Sequence, residues 1–131
     1  MAQRRKVVSL RLCAFAALRL VSAMRLTVTE ALSRLPGAKG ERFVELFKRG
    51  ALSIELYAPR GADPQKPHRQ DEVYVVVSGS GMFRNGERRE PFSAGDLLFV
   101  PAGVTHRFEE FSDDLVVWVI FAGPEGGELP D

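Results

Sequence analysis

The chain is short of the residues that usually announce a function. Its 131 residues include one cysteine, one tryptophan and two histidines. The lone Cys13 excludes a disulfide framework and a zinc site built on cysteines. A reducing, cytoplasmic setting fits that usage. Eighteen basic against seventeen acidic residues leave a net charge of +1, so there is no electrostatic case for a nucleic-acid partner. The nine phenylalanines fall mostly in apolar runs and form no exposed stacking platform. No apolar run is long enough to span a bilayer.

Residues 1–23 differ from the rest, with Arg4, Arg5, Lys6, Arg11 and Arg19 and no acid. The segment reads as an N-terminal extension. It could be a weak Arg-rich helix, a targeting or export segment, or a non-native start ahead of Met24. Residues 24–131 then form one domain, long enough for one real core. Thr27-Val28-Thr29-Glu30 has the capping-box pattern, and Ala31, Leu32 and Leu35 offer an apolar helix face ended by Pro36-Gly37.

After Gly40 the pattern changes to short strand-like runs. Residues 42–47 and 51–58 alternate, with Leu52, Ile54 and Leu56 on one face and Ser53, Glu55 and Tyr57 on the other. Residues 72–77, 96–100 and 115–121 are nearly continuous apolar runs, the pattern of strands covered on both faces. Phe83, Phe92, Phe99 and Trp118 are expected in the core. Asn85-Gly86 signals a two-residue hairpin. Val100-Pro101-Ala102-Gly103 suits a type I turn. Many short strands without helical interruption predict an all-β sandwich or barrel. The loop 59–67 must reach a sheet edge or the barrel mouth, while Asp71, the acidic residues 109–114 and the final "GPEGGELPD" read as solvated.

Both histidines stand beside Pro/Gly turns at the edge of apolar strands. His68, Gln70 and Glu72 share one parity of an entering strand, and His106 begins a later one. Two imidazoles and a carboxylate meeting inside a barrel would make a facial triad. Such a set suits one divalent Fe, Mn, Zn, Co or Ni ion and leaves positions open. Glu72, opening a buried strand, needs a partner to offset its desolvation: a metal, or Lys66, Arg69 or Arg107.

At these residues the sequence resembles the cupin superfamily. Gly61, Lys66, His68, Glu72 and Gly79 follow its first motif, G-x5-H-x-H-x3,4-E-x6-G. Gly95, Pro101, Gly103, His106 and Glu110 follow its second, G-x5-P-x-G-x2-H-x3-N. The resemblance spans about residues 50–122, with motif segments 61–79 and 95–110. It implies a double-stranded β-helix, or jelly roll, with a short N-terminal helix. It also implies a metal held by His68, Glu72 and His106. Two positions depart from the pattern: Lys66 replaces the first motif histidine, and an ammonium cannot ligate. Glu110 replaces a supporting asparagine. Gln70 could supply an oxygen ligand, and Tyr57 and Glu55 are candidates for the surrounding shell.

Three functions compete at this point. One is a metal-dependent enzyme, dioxygenase-like or isomerase-like, acting on a small organic molecule. The second is a non-catalytic binding or sensor domain that holds such a molecule in the barrel. The third is a metal-free structural module in which Glu72 pairs with a base. The resemblance and the continuous apolar run 115–121 also imply a homodimer.

Overall fold

A computed structural model describes residues 22–130. Among these residues there is one helix, α1 (Val28–Leu32), and it starts where the capping pattern places it. The Thr27 hydroxyl accepts from the Glu30 amide at 3.2 Å, and fully buried Ala31 faces the sheet. Eight strands follow: β1 (Phe43–Arg49), β2 (Leu52–Tyr57), β3 (Asp71–Ser78), β4 (Ser80–Asn85), β5 (Arg88–Ser93), β6 (Leu97–Val100), β7 (His106–Glu109) and β8 (Val116–Ala122). No helix among these residues is long and apolar enough to cross a membrane. The extension 1–23 lies almost wholly outside the described residues, as does Cys13.

The strands form a five-stranded sheet in the order β1-β2-β8-β3-β6 and a three-stranded sheet in the order β5-β4-β7. Every pairing is antiparallel, and strands distant in sequence lie side by side. This is the expected all-β jelly roll. The inner faces meet over Tyr57, Tyr74, Val76, Val117 and Val119 of the large sheet and Phe83, Phe92 and Phe108 of the small one. Burying each such side chain contributes about 1.5–3 kcal/mol, which explains why the inward parity is so consistently apolar.

The outer face is only partly covered. Helix α1 packs on Leu56, Ala58, Val116, Val77 and Trp118. It does not reach β6, where Leu97 is 64% and Phe99 51% exposed. Phe99 is therefore not a core residue, contrary to expectation. On a four-residue edge strand, alternation sends it outward while Val100 and Leu98 pack inward.

Both turn expectations shift by one residue. The β4–β5 loop is Gly86-Glu87, and Asn85 is a strand residue paired with Arg88 and His106. Gly86 takes φ 62°, as the first position of a type II′ hairpin requires. The turn before β7 closes from the Val104 amide to the Pro101 carbonyl at 3.2 Å, with Gly103 in third place at φ 79°. That is a type II turn rather than type I. Its cause is tertiary: the Gly103 amide donates to the His68 carbonyl at 2.7 Å and is unavailable to Val100.

Candidate metal centre

That same bond is what brings the two histidines together. It ties the segment entering β3 to the turn entering β7, and the imidazole centroids lie 5.3 Å apart. Asp71 reinforces the junction. Its carboxylate accepts from the Ala102 amide at 3.0 Å and the Glu128 amide at 3.1 Å, and these bonds hold its pKa below the usual range. Asp71 is thus a latch rather than a solvated neighbour. The C-terminal segment it holds folds back, with the Gly126 amide on the Arg69 carbonyl.

Glu72 enters from β3, next to Val100 and Phe121 in the ladder. Ligand atoms of His68, Glu72 and His106 all lie within 4.8 Å of one another. Glu72 Oε2 is 3.2 Å from His106 Nε2 and 3.7 Å from His68 Nε2. The Glu72 and His106 side chains are buried, while His68 keeps one third of its surface. His68 stands edge-on to Phe121 at 4.8 Å between centroids, a contact that fixes its ring.

The hydrogen bonding is incomplete in an informative way. His68 Nε2, His106 Nε2 and both Glu72 oxygens are buried without a hydrogen-bond partner. Four orphaned polar atoms converging on one point are costly unless something occupies it. His106 Nδ1 lies 2.9 Å from the Val104 carbonyl, which can only accept, so Nδ1 carries a proton. In the neutral ring the Nε2 lone pair then faces the Glu72 carboxylate. A bare pairing of this kind is repulsive; a cation or a proton between the atoms relieves it. A backbone-anchored Nδ1–H with a free Nε2 is the usual second-shell arrangement of a metal-binding histidine. The donor set therefore fits a divalent metal.

The electrostatics favour positive charge beside Glu72, carried by a proton on His106 or by a metal. Burial lowers the His106 pKa, but Glu72 and the Val104 carbonyl outweigh it and leave the ring above its ordinary range. Burial lowers His68, with Glu72 only partly opposing. The bases proposed as partners for Glu72 are elsewhere. Arg69 pairs with Glu125 at 3.8 Å, and Lys66 and Arg107 are exposed. Lys66 thus stands clear of the centre it would otherwise repel. Glu110 pairs with Arg89 at 3.2 Å, and Glu109 with Arg84 and Arg89, so part of the acidic run is ion-paired rather than merely solvated.

Among the shell candidates, Gln70 points its amide away. Its Nε2 donates to the Ala51 carbonyl at 2.6 Å and the Gly123 carbonyl at 2.9 Å. Tyr57 and Glu55 line a cavity of about 350 Å³ that also receives His68. Phe43, Pro64, Val119 and Phe121 form its apolar walls. Burial raises the Glu55 pKa to about 7, helped by Glu45, directly opposite on β1, and by Glu72. The residue that sequence reasoning missed is Asp63. It is buried and accepts from the Tyr57 hydroxyl at 2.7 Å, the Phe108 amide at 2.9 Å and the Gln65 backbone and side-chain amides. Only its Asp-Pro dipeptide, a turn-initiating pair, marked it in the sequence.

The sequence profile of the cupin domain matches residues 53–121. The chain belongs to the cupin domain family. It is 41% identical over 85 residues to an uncharacterized protein of Streptomyces coelicolor, covering 63% of this chain and 81% of that one. It is 32% identical over 78 residues to an acireductone dioxygenase of Coprinopsis cinerea, covering 55% of this chain and 44% of the enzyme's length. A cupin 2 conserved barrel domain protein from Salinispora arenicola superposes with a TM-score of 0.57 at 18% identity, over 77% of this chain and 88% of that one. This last likeness concerns the fold alone.

Proposed function

We propose that this cupin holds one divalent transition metal on His68, Glu72 and His106 and presents a small organic molecule to it from the adjoining cavity, in dioxygenase-like chemistry. The observation that carries the reading is the set of four buried ligand atoms without hydrogen-bond partners around His106, whose Nδ1 is anchored on Val104. When bound, the metal would supply a Lewis-acid centre with open positions for ligand, water or dioxygen. The chain's own residues do the positioning. Val104 and Phe121 orient the imidazoles, and the apolar wall of Phe43, Pro64, Val119 and Phe121 excludes water from one flank. The dioxygenase relative supports the choice of reaction class, over less than half of that enzyme's length.

The test is elemental analysis of protein expressed in metal-replete medium without chelators, followed by oxygen uptake of the Fe(II)-loaded protein with acireductone as first candidate substrate. About one metal per chain and uptake above that of the metal-free protein would support the reading. Metal without any uptake would point to a binding role instead.

Acid should release the metal, because both imidazoles must be neutral to ligate. His106, with its pKa raised, takes a proton first as the pH falls. Occupancy is expected to fall with acid through the imidazole range and to be lost by about pH 4.5. In the metal-free protein the sign reverses for His106. It holds its proton more tightly folded than unfolded, so that stabilisation is complete below the unfolded pKa and lost as pH rises through the folded one. Equilibrium dialysis against fixed metal from pH 8 to 4.5 measures the first effect; occupancy unchanged across that range would mean the histidines are not ligands.

The partner in solution is expected to be a second copy of the chain. Leu97 and Phe99 expose apolar surface on β6, one of the two edge strands of the large sheet, and a second copy would cover it. Light scattering should give a dimer mass that Phe99→Lys converts to monomer. A monomer mass for the unmodified protein at high concentration would refute this.

A further inference from the structure

Glu55 is the one acidic or basic side chain that the described residues bring to the cavity beside His68. Among the described residues no lysine or arginine lines it. Its polar wall consists of Tyr57, Gln65, His68 and Glu55, and three of these four are committed. The Tyr57 hydroxyl donates to Asp63 at 2.7 Å. The Gln65 amide nitrogen donates to Asp63 at 3.0 Å, and its oxygen accepts from the Tyr74 hydroxyl at 2.8 Å. His68 Nε2 belongs to the metal group. Glu55 alone has no hydrogen bond or ion pair to any described residue. Lys48 lies in a neighbouring hollow that Glu55 also borders, together with Glu45, but forms no ion pair with it.

Glu55 is placed to face whatever enters. It sits on β2 opposite Val119 of β8, which is itself opposite Tyr74 of β3. Its side chain therefore shares the inward face with Tyr57, Tyr74 and Glu72. Above its pKa of about 7 the half-buried Glu55 carboxylate offers only acceptor atoms, and it gains most from a ligand that brings a donor. A ligand that brings a second carboxylate meets a like charge with no cation in the wall to compensate.

We infer that Glu55 is a specificity residue: the cavity takes a small molecule with an oxygen-donor end for the metal, an apolar flank and a hydrogen-bond donor aimed at Glu55, and it discriminates against dicarboxylates. This rests on the reading of the barrel as a small-molecule site beside a metal. A hydrogen bond to an ionised acceptor is strong enough to give about tenfold preference or more.

Three matched probes test it: 3-(hydroxymethyl)benzoate, benzoate and isophthalate. Each is titrated calorimetrically at about pH 8.5, where Glu55 is ionised, into zinc-loaded wild-type protein and into Glu55→Gln, with zinc content measured on both. The expected order for wild type is 3-(hydroxymethyl)benzoate tightest and isophthalate weakest, about tenfold or more apart. Glu55→Gln should keep its zinc and lose most of that separation, mainly by binding isophthalate better. The inference is overturned if isophthalate binds wild type as tightly as 3-(hydroxymethyl)benzoate, if no probe binds, or if Glu55→Gln keeps the wild-type order. Failure of the metal reading would register separately, as wild-type protein that takes up no zinc; the probe order is then read on that protein as purified and judged by the same criteria.

Discussion

His106→Ala is expected to leave the protein essentially without bound metal. The substitution removes the ligand whose geometry is most tightly set: its ring is buried, with Nδ1 held by the Val104 carbonyl and Nε2 3.2 Å from Glu72. Glu72 and the partly exposed His68 would remain, and two ligands hold a metal poorly. Loss of a supporting group alone typically costs about 10–100-fold in affinity, so loss of a ligand should exceed about 100-fold. Elemental analysis of protein purified in parallel with wild type measures it. Because truncating a buried ring also leaves a cavity, His68→Ala is the companion variant. It sits in a more exposed place, should disturb folding less, and should also lose the metal. If both variants keep wild-type metal content, the metal lies elsewhere.

Asp63→Ala is expected to lower stability by about 3 kcal/mol. The carboxylate is buried and satisfies the Tyr57 hydroxyl, the Phe108 amide and Gln65. Removing it strands the first two donors in the core, where an unmet buried donor costs about 1–3 kcal/mol. The melting midpoint should fall on the order of 10 °C for a domain of this size. Asp63→Asn keeps one acceptor oxygen and should fall between the two. Glu72 and His106 are carried by strands and His68 is tied separately through the Gly103 amide, so metal content should be little changed, while the cavity wall that includes Pro64 and Gln65 loosens. A midpoint within about 1 °C of wild type would show that the loop is held by something other than Asp63.

Much of the fold was legible because its signals are local. Alternation in 52–57 and the nearly continuous apolar run 72–77 follow from which faces of a strand are covered. The α1 cap follows from a hydroxyl three residues ahead of an amide. The candidate ligands were legible because the spacing around them follows a known pattern, and the topology does bring His68, Glu72 and His106 into one group. Gln70 shows the limit of parity. It shares the register of His68 and Glu72, yet it precedes the regular strand, and its amide is captured by the Ala51 and Gly123 carbonyls. Phe99 and the two shifted turns show the same limit. Composition marks an apolar residue or a turn, but the partner strand decides the facing and the register.

By itself the sequence determined that this chain is an all-β barrel with a helical lead-in, without a disulfide framework, with two histidines and a glutamate at the rims of apolar strands. Those properties depend on residue type and on spacing within a few positions, where backbone periodicity does the work. Only the tertiary structure decided that the Gly103 amide joins the His68 segment to the His106 turn, and that Val104 presets the His106 tautomer. It also decided that Asp63 and Asp71 serve as buried anchor and latch, and that Glu55 is the free acceptor in a cavity that no described lysine or arginine lines. Each of these is a contact between residues far apart in the chain or a partner left unmet, and a polar group's role depends on which partners the folded chain supplies.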